Sequence, residues 1–179
     1  MRVVGLLASF WAIPVITWEP VLRKVVSDKN YDNVFSVYGA FEDFAWSAAA
    51  VIKRLKWTKL ALLYEASPLC SPLVEQLERE MLGSTLASEA SKNVIQMHRL
   101  GQDLSRIKTL TRTVVICSGQ STLVSVMAEA DKAGMTSGYY AFLHLNFDPT
   151  PLPGGQGDGQ RSPLDVVLQL GQFHPEREQ

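Results

Sequence analysis

One stretch whose residue types could bind a charged ligand is SGQST, residues 118–122. This stretch follows a short apolar run and precedes a helical pattern, so the backbone N–H groups at a helix start would be available to hold a carboxylate or another anion. Ser118 and Ser121 would then be the side-chain contacts. Residues of these types also serve simply to cap a helix, so the pattern leaves both interpretations open.

Other chemistry-bearing residues lack the spacing that catalysis or metal binding requires. His98, His144 and His174 do not form a ligand cluster, so no metal site is predicted. The glycine-rich run at residues 154–159 follows a proline-rich segment and opens no helix, which argues against a nucleotide-binding loop. We therefore predict no catalytic residue, no metal and no cofactor, and a nucleotide-dependent α/β enzyme is the least favoured class.

Composition is that of an ordinary globular domain. The chain has 179 residues, of which 46% are hydrophobic and 20% charged, so it can bury one sizeable core. A formal net charge of −1 gives no electrostatic case for binding nucleic acid or an anionic membrane surface, and the sequence does not predict a polyanion-binding protein. The apolar run at residues 3–18 is shorter than the roughly 20 residues that a membrane-spanning helix needs.

Helical and strand patterns alternate between about residue 35 and residue 146. Strand-like apolar runs occur at 58–65, 113–119 and 139–145, and their continuous hydrophobicity is typical of strands covered on both faces. Helical patterns occur between them, at residues 40–56, 73–82, 103–110 and 121–134. This alternation predicts an α/β fold with a doubly wound, mostly parallel sheet.

Residue types at the helix ends support these assignments. Asp103 is predicted to be the N-cap of its helix, and Gly83 and Gly134 are predicted to end theirs. From residue 147 the chain is rich in proline and glycine and reads as a loop. A short helix is predicted to begin near residue 164.

Several segments together resemble the ligand-binding ectodomain of natriuretic-peptide receptors and receptor guanylate cyclases, which have the type I periplasmic-binding-protein fold. They occur in the order and spacing of that family: GLLASFWAIPVIT, KRLKWTKLALLY, CSPLVEQL, TVVICSG and AGMTSGYYAFLHLNF. The resemblance implies that residues 1–34 end a first lobe and cross over. Residues 35–147 would form the α/β core of a second lobe, and 148–179 a Pro/Gly-rich loop and tail.

The resemblance also bears on the apolar run near the amino terminus. It implies a helix end followed by a core strand, with Ile13, Val15 and Ile16 facing a sheet, instead of a signal peptide. We expect the chain to be an incomplete two-lobe domain, which by itself neither signals nor binds hormone tightly. The complete receptor would be a homodimer on the extracellular side of the plasma membrane, attached by a single membrane span outside this chain.

The two cysteines match a bridged pair of the family, so the resemblance implies a Cys70–Cys117 disulfide. Both residues follow or end predicted strands, and parallel strands would place them at one edge of the sheet. An extracellular compartment would allow the bond. The alternative is that Cys117 is a small buried hydrophobe and Cys70 a loop thiol.

Two positions align with the peptide-binding residues of the family, Glu75 and Tyr64. A carboxylate suits the arginine-containing ring of a natriuretic peptide, and an aromatic ring supplies rigid contact area. Glu75 is also explained as a first-turn residue that favours the helix dipole, and Tyr64 as a half-buried strand end. The expected function is peptide-hormone binding in the complete receptor, and the alternative is a small ligand bound in the cleft between the lobes.

Overall fold

The computed structural model describes residues 2–17, 21, 31–37, 40–82, 93–146 and 167–170. The described helices are α1 (Arg2–Phe10), α2 (Phe41–Arg54), α3 (Cys70–Leu82), α4 (Leu100–Leu110) and α5 (Gln120–Lys132). The described strands are β1 (Val15–Thr17), β2 (Val34–Ser36), β3 (Ala61–Tyr64), β4 (Val94–Gln96), β5 (Thr113–Cys117), β6 (Ala141–Leu145) and β7 (Val167–Leu170).

The main sheet has five strands in the order β4-β3-β5-β6-β7. Every pairing within it is parallel. The register places Tyr64 beside Cys117, and Cys117 beside Leu145. Because parallel neighbours require crossover connections, the helices between the strands pack on the two faces of the sheet. The predicted doubly wound α/β fold is confirmed.

Helices α2 and α3 cover one face of the sheet. Their apolar residues recur at helical spacing, so each helix presents one stripe to the strands. This first cluster contains side chains from both helices and from β3, β5 and β6. Its fully buried members include Ala45, Ile52, Leu62, Leu73, Leu77 and Val115.

Helices α4 and α5 cover the opposite face. Successive residues of a strand face opposite sides, so β3 supplies Leu62 to the first cluster and Leu63 to the second. The second cluster includes the buried side chains Leu104, Ile107, Leu123, Met127 and Phe142. Both faces of the central strands are therefore buried under helices, which accounts for the continuous apolar runs in their sequences.

Three helices end in the same hydrogen-bonded motif. At the end of α5, Gly134 has φ 70°, its N–H bonds to the Asp131 carbonyl, and the Met135 N–H bonds to the Ala130 carbonyl. This is the Schellman motif, in which a residue with positive φ closes the helix. Gly134 therefore ends α5 as predicted. Helices α1 and α2 end in the same way with Ala12 at φ 54° and Lys56 at φ 55°.

The amino-terminal residues form a small unit of their own. Strands β1 and β2 pair in parallel, and α1 lies close to β2 because Gly5 has no side chain. A Cβ at Gly5 would lie 2.8 Å from Cδ1 of Tyr31. The expected burial of the apolar run is wrong in part, since Ile16 is 68% exposed and Ile13 is also exposed. Val15 is half-buried.

Two strands differ from the sequence-based expectation. The helix predicted to begin near residue 164 is wrong for Val167–Leu170, which form β7 against β6. Residues 167–170 form a strand because the edge of β6 offers main-chain N–H and C=O groups for hydrogen bonding. A helical pattern read from the segment alone does not take this partner into account. Strand β4 was not predicted, because its three residues, Val94–Gln96, are too few to show a period.

Asp103 is not the N-cap of its helix. Helix α4 begins at Leu100 with Arg99 as N-cap, and Asp103 lies in the first turn. Its carboxylate accepts hydrogen bonds from the backbone N–H groups of His98 and Arg99, both at 3.0 Å. The aspartate therefore satisfies two donors at the start of the helix, from one position later than the N3 residue of a capping box.

None of the described helices is long and apolar enough to cross a lipid bilayer. Gly83, the predicted end of α3, and the proline- and glycine-rich run at residues 147–163 lie outside the described residues. The domain boundaries at residues 34 and 147 stay predictions.

Candidate functional site

The carboxyl ends of β3 and β5 form the point where the chain changes direction across the sheet. From β3 the chain passes through α3 on one face to β4, and from β4 it returns through α4 on the other face to β5. In open α/β sheets the crevice outside this switch point is the usual place for a ligand. The predicted site residues Tyr64, Cys70, Cys117 and Ser118 lie at or next to this edge.

Cys70 and Cys117 form a disulfide in the structure, with their Cα atoms 5.6 Å apart. Cys70 is the first residue of α3, and Cys117 is the last residue of β5. The hydroxyl of Ser67 accepts a hydrogen bond from the Cys70 N–H at 3.0 Å, which satisfies one of the unpaired donors of the first turn. The predicted disulfide is therefore present, and it fixes the start of α3 to the carboxyl end of β5.

Glu65 links the end of β3 to the start of α5. One of its carboxylate oxygens, Oε2, accepts a hydrogen bond from the N–H of Gly119 at 3.1 Å, and Gly119 is the N-cap of α5. The positive end of the helix dipole favours a carboxylate here. The start of α5, which the sequence suggested as an anion site, is therefore already in contact with a carboxylate of the protein itself.

Ser118 and His144 lie beneath this edge. His144 is fully buried, and its Nε2 donates a hydrogen bond to the Ser118 carbonyl oxygen at 3.0 Å. Burial lowers the pKa of His144 below the ordinary value of 6.5, and the bond to Ser118 opposes this shift. The imidazole is therefore neutral near pH 7. Its Nδ1 and the Ser118 Oγ are buried without a hydrogen-bond partner among the described residues.

The structure does not bring Ser118 and Ser121 to one surface. Ser118 is 4% exposed, whereas Ser121 is exposed on the first turn of α5. The two serines therefore face different environments, and a shared contact with one small anion stays a prediction.

Glu75 lies on the outer surface of α3. Its side chain is 71% exposed and lies 3.2 Å from the guanidinium of Arg79, one turn further along the helix. The expected first-turn position of Glu75 is wrong, because α3 begins at Cys70 and has no acidic residue in its first turn. The helix dipole acts mainly within the first turn, so it does not explain a carboxylate at this position.

Tyr64 is the last residue of β3 and is half-buried against the first cluster. Its backbone carbonyl accepts a hydrogen bond from the Met97 N–H at 2.8 Å. Tyr64 neighbours Cys117 across the sheet, and Cys117 is bonded to the helix that carries Glu75. Within the described residues, Tyr64 and Glu75 do not hydrogen-bond to each other, so their shared role in ligand contact stays a prediction.

Two residues at this edge, Glu65 and His144, were not identified from the sequence. Glu65 directly follows an apolar strand. A carboxylate at the carboxyl end of a parallel strand indicates a position at the ligand-binding edge of the sheet, and this pattern could have identified it. His144 interrupts the apolar strand AFLHL, and a titratable side chain inside such a run indicates a buried polar contact. The described residues contain no group of three or more His, Cys, Asp or Glu able to hold a metal.

Comparison with known proteins gives the family. The family model described as receptor family ligand binding region matches residues 1–166. The chain is similar to human atrial natriuretic peptide receptor 3, with 25% identity over 151 residues, which cover 79% of this chain and 27% of that receptor. The same receptor of Rattus norvegicus is 25% identical over 147 residues, 79% of this chain and 28% of the receptor.

A receptor-type guanylate cyclase of Caenorhabditis elegans, gcy-4, is 22% identical over 156 residues, 82% of this chain and 14% of the cyclase. The chain thus spans about a quarter of the length of the natriuretic peptide receptors it matches. The resemblance seen in the sequence is confirmed by these matches. With a doubly wound parallel sheet and a family match over residues 1–166, the chain belongs to the receptor family ligand binding region.

Proposed function

We infer that the chain is part of the extracellular ligand-binding region of a receptor, and that the complete receptor binds a peptide hormone. The observation that carries this proposal is the position of Glu75, exposed on a helix whose first residue is bonded to the sheet through the Cys70–Cys117 disulfide. Such anchoring holds the helix rigidly, and rigid presentation reduces the entropy lost on binding. The named relatives are receptors for a natriuretic peptide.

Glu75 would contact a cationic group of the peptide. In the structure its carboxylate is paired with Arg79 at 3.2 Å, and both side chains are largely exposed. An exposed pair of this type on a helix contributes only about 0.3–0.5 kcal/mol. A peptide arginine can therefore displace Arg79 at small cost and form a charge-assisted bond with Glu75.

A small anionic ligand at the start of α5 is the second candidate function. The carboxylate of Glu65 argues against it, because Oε2 already accepts the Gly119 N–H and would repel a second anion. The buried position of Ser118 argues in the same direction. The peptide ligand is therefore preferred, with binding instead of catalysis as the activity and no cofactor required.

Peptide binding by the complete receptor, secreted as its extracellular region, tests the proposal. Glu75→Ala is expected to weaken binding by about 2 kcal/mol or more if a desolvated charge pair is lost. Arg79→Ala is the matched control, since it removes the same helix pair but leaves the carboxylate, and it should leave affinity unchanged or raise it. Equal losses in the two variants, or no loss in Glu75→Ala, would overturn the role of Glu75.

The complete receptor is further proposed to be a homodimer held in the plasma membrane by a single span. Light scattering of the purified extracellular region, with and without peptide, measures whether it is a dimer. A monomer at micromolar concentration in both states would contradict the homodimer.

A further inference from the structure

A groove at the opposite, amino-terminal edge of the sheet has no part in the site described above. It has a volume of about 370 Å³ and is lined by residues 56–59, which precede β3, and 110–113, which lead into β5. The hydroxyl of Thr111 donates a hydrogen bond to the Lys59 carbonyl at 2.8 Å, so the two loops are fixed to each other. We call this feature the basic groove.

The groove concentrates positive charge. Lys56, Lys59 and Arg112 are exposed on its lining, and none of the described residues that line it is acidic. The two segments that build it, residues 44–64 and 104–118, contain no Asp or Glu, although the whole chain has a net charge of −1. In the described part of the chain, neither Lys56 nor Arg112 forms an ion pair. The electrostatic potential at the basic groove is therefore positive, although the net charge of the chain is close to zero.

Lys56 occupies a backbone position that favours glycine. It has φ 55° at the end of α2, where its N–H bonds to the Lys53 carbonyl and the Trp57 N–H bonds to the Ile52 carbonyl. A residue with a Cβ is strained in this left-handed conformation, whereas glycine is not. Helix α5 uses Gly134 at the same position of the same motif. Glycine at residue 56 would therefore relieve this strain, so a Lys56→Gly substitution removes a charge of the groove without damaging the end of α2.

Basic residues near helix ends have a second explanation, because they offset the negative end of the helix dipole. Lys53 and Arg54 lie in the last turn of α2, where the helix dipole accounts for their positive charge. Lys59 and Arg112 lie beyond the ends of α2 and α4, in the loops that lead into the strands. The dipole falls off within the last turn, so it does not account for these two.

We propose that the basic groove binds a linear sulfated polysaccharide. Three cations on two loops suit the repeated anionic groups of a polymer, and the half-buried Trp57 and the hydroxyl of Thr58 supply an apolar surface and a donor for a sugar unit. The Cys70–Cys117 disulfide indicates an oxidising, extracellular compartment, where sulfated glycans are abundant polyanions and nucleic acids are not. Anionic phospholipids are concentrated in the cytoplasmic leaflet of the membrane, on the other side of the bilayer from such a compartment, which favours the polysaccharide over a membrane surface.

The test compares the 179-residue protein with Lys56→Gly and Lys56→Gly/Arg112→Gln in heparin binding at 0.15 M NaCl. The glycine variant removes a charge without harming the helix end, so thermal unfolding should be unchanged or shifted upward. Each lost cation should weaken heparin binding about fivefold, the size of effect of a basic side chain beside an anionic surface. Arg99→Gln is the control, since Arg99 is an exposed cation at the opposite edge of the sheet.

A loss of heparin affinity in the groove variants, with retained thermal unfolding and no loss in Arg99→Gln, supports the proposal. Equal loss in all variants would overturn it, as would wild-type protein that does not bind heparin at this salt concentration. Vesicles containing phosphatidylserine and a single-stranded DNA form two further arms. Tighter binding to either than to heparin, abolished by the same substitutions, would assign the groove to a membrane or to nucleic acid and overturn the polysaccharide.

Discussion

The carboxylate of Glu65 accepts a hydrogen bond from the backbone N–H of Gly119 at 3.1 Å. This contact joins the residue after β3 to the N-cap of α5, and it lies beside the main-chain bond from the Glu65 N–H to the Cys117 carbonyl at 2.9 Å. The ends of β3 and β5 are therefore held together by these polar contacts, and the disulfide fixes the start of α3 to the same edge. A rigid edge of this kind positions the loops that would meet a ligand.

Glu65→Gln should lower the free energy of unfolding by about 0.5–1 kcal/mol, because the amide keeps the hydrogen bond but loses the charge that the helix dipole favours. The half-exposed setting limits the effect through solvent screening. Urea unfolding followed by circular dichroism measures it. Glu78→Gln removes the same charge from α3 and should change stability by less than about 0.5 kcal/mol. Identical values for the two variants would contradict the role assigned to Glu65.

Removing the disulfide should destabilise the fold. The bond closes a loop between residues 47 positions apart, and the chain-entropy estimate for a loop of this length is about 4 kcal/mol. Cys70→Ala/Cys117→Val keeps both buried sites apolar, so its unfolding free energy reports mainly the lost constraint. Reduced wild-type protein should show a similar loss. A double variant as stable as the oxidised protein would show that the bond contributes nothing to stability.

The main sheet could be predicted from the sequence because its central strands are buried on both faces. Continuous apolar runs between helical periods gave the positions of β3, β5 and β6, and no single tertiary contact was needed to recognise them. Strands β4 and β7 are different. Each lies at an edge of the sheet, and each forms because a neighbouring strand offers hydrogen bonds, which a local pattern does not report.

The candidate site was predicted only in part, for a related reason. Cys70, Cys117, Glu75 and Tyr64 were identified through the family resemblance, and the structure places the cysteine pair together. The contact made by Glu65 joins residues 54 positions apart. Such contacts depend on which strands are neighbours in the sheet, and the sequence pattern does not predict the strand order.

Gly134→Ala should lower the free energy of unfolding by about 1 kcal/mol, since the new residue must keep φ near 70° and pays the left-handed penalty. A Cβ at Gly134 would meet no atom within 4 Å, so the loss is due to the backbone alone. Ala12→Gly at the end of α1, where φ is 54°, should change stability in the opposite direction. Thermal unfolding of the two variants measures both signs, and a stabilised Gly134→Ala protein would refute the argument.

Stability should decrease on acidification because of His144. Burial lowers its pKa in the folded protein, whereas in the unfolded chain it titrates near 6.5. The unfolded state therefore binds a proton first, so the contribution of His144 is complete above about pH 6.5 and is lost as the pH falls from there towards the folded pKa. His144→Gln keeps a donor for the Ser118 carbonyl but does not titrate. Urea midpoints measured from pH 7.5 to pH 5 should fall less steeply in this variant, and parallel curves would show that His144 is not responsible.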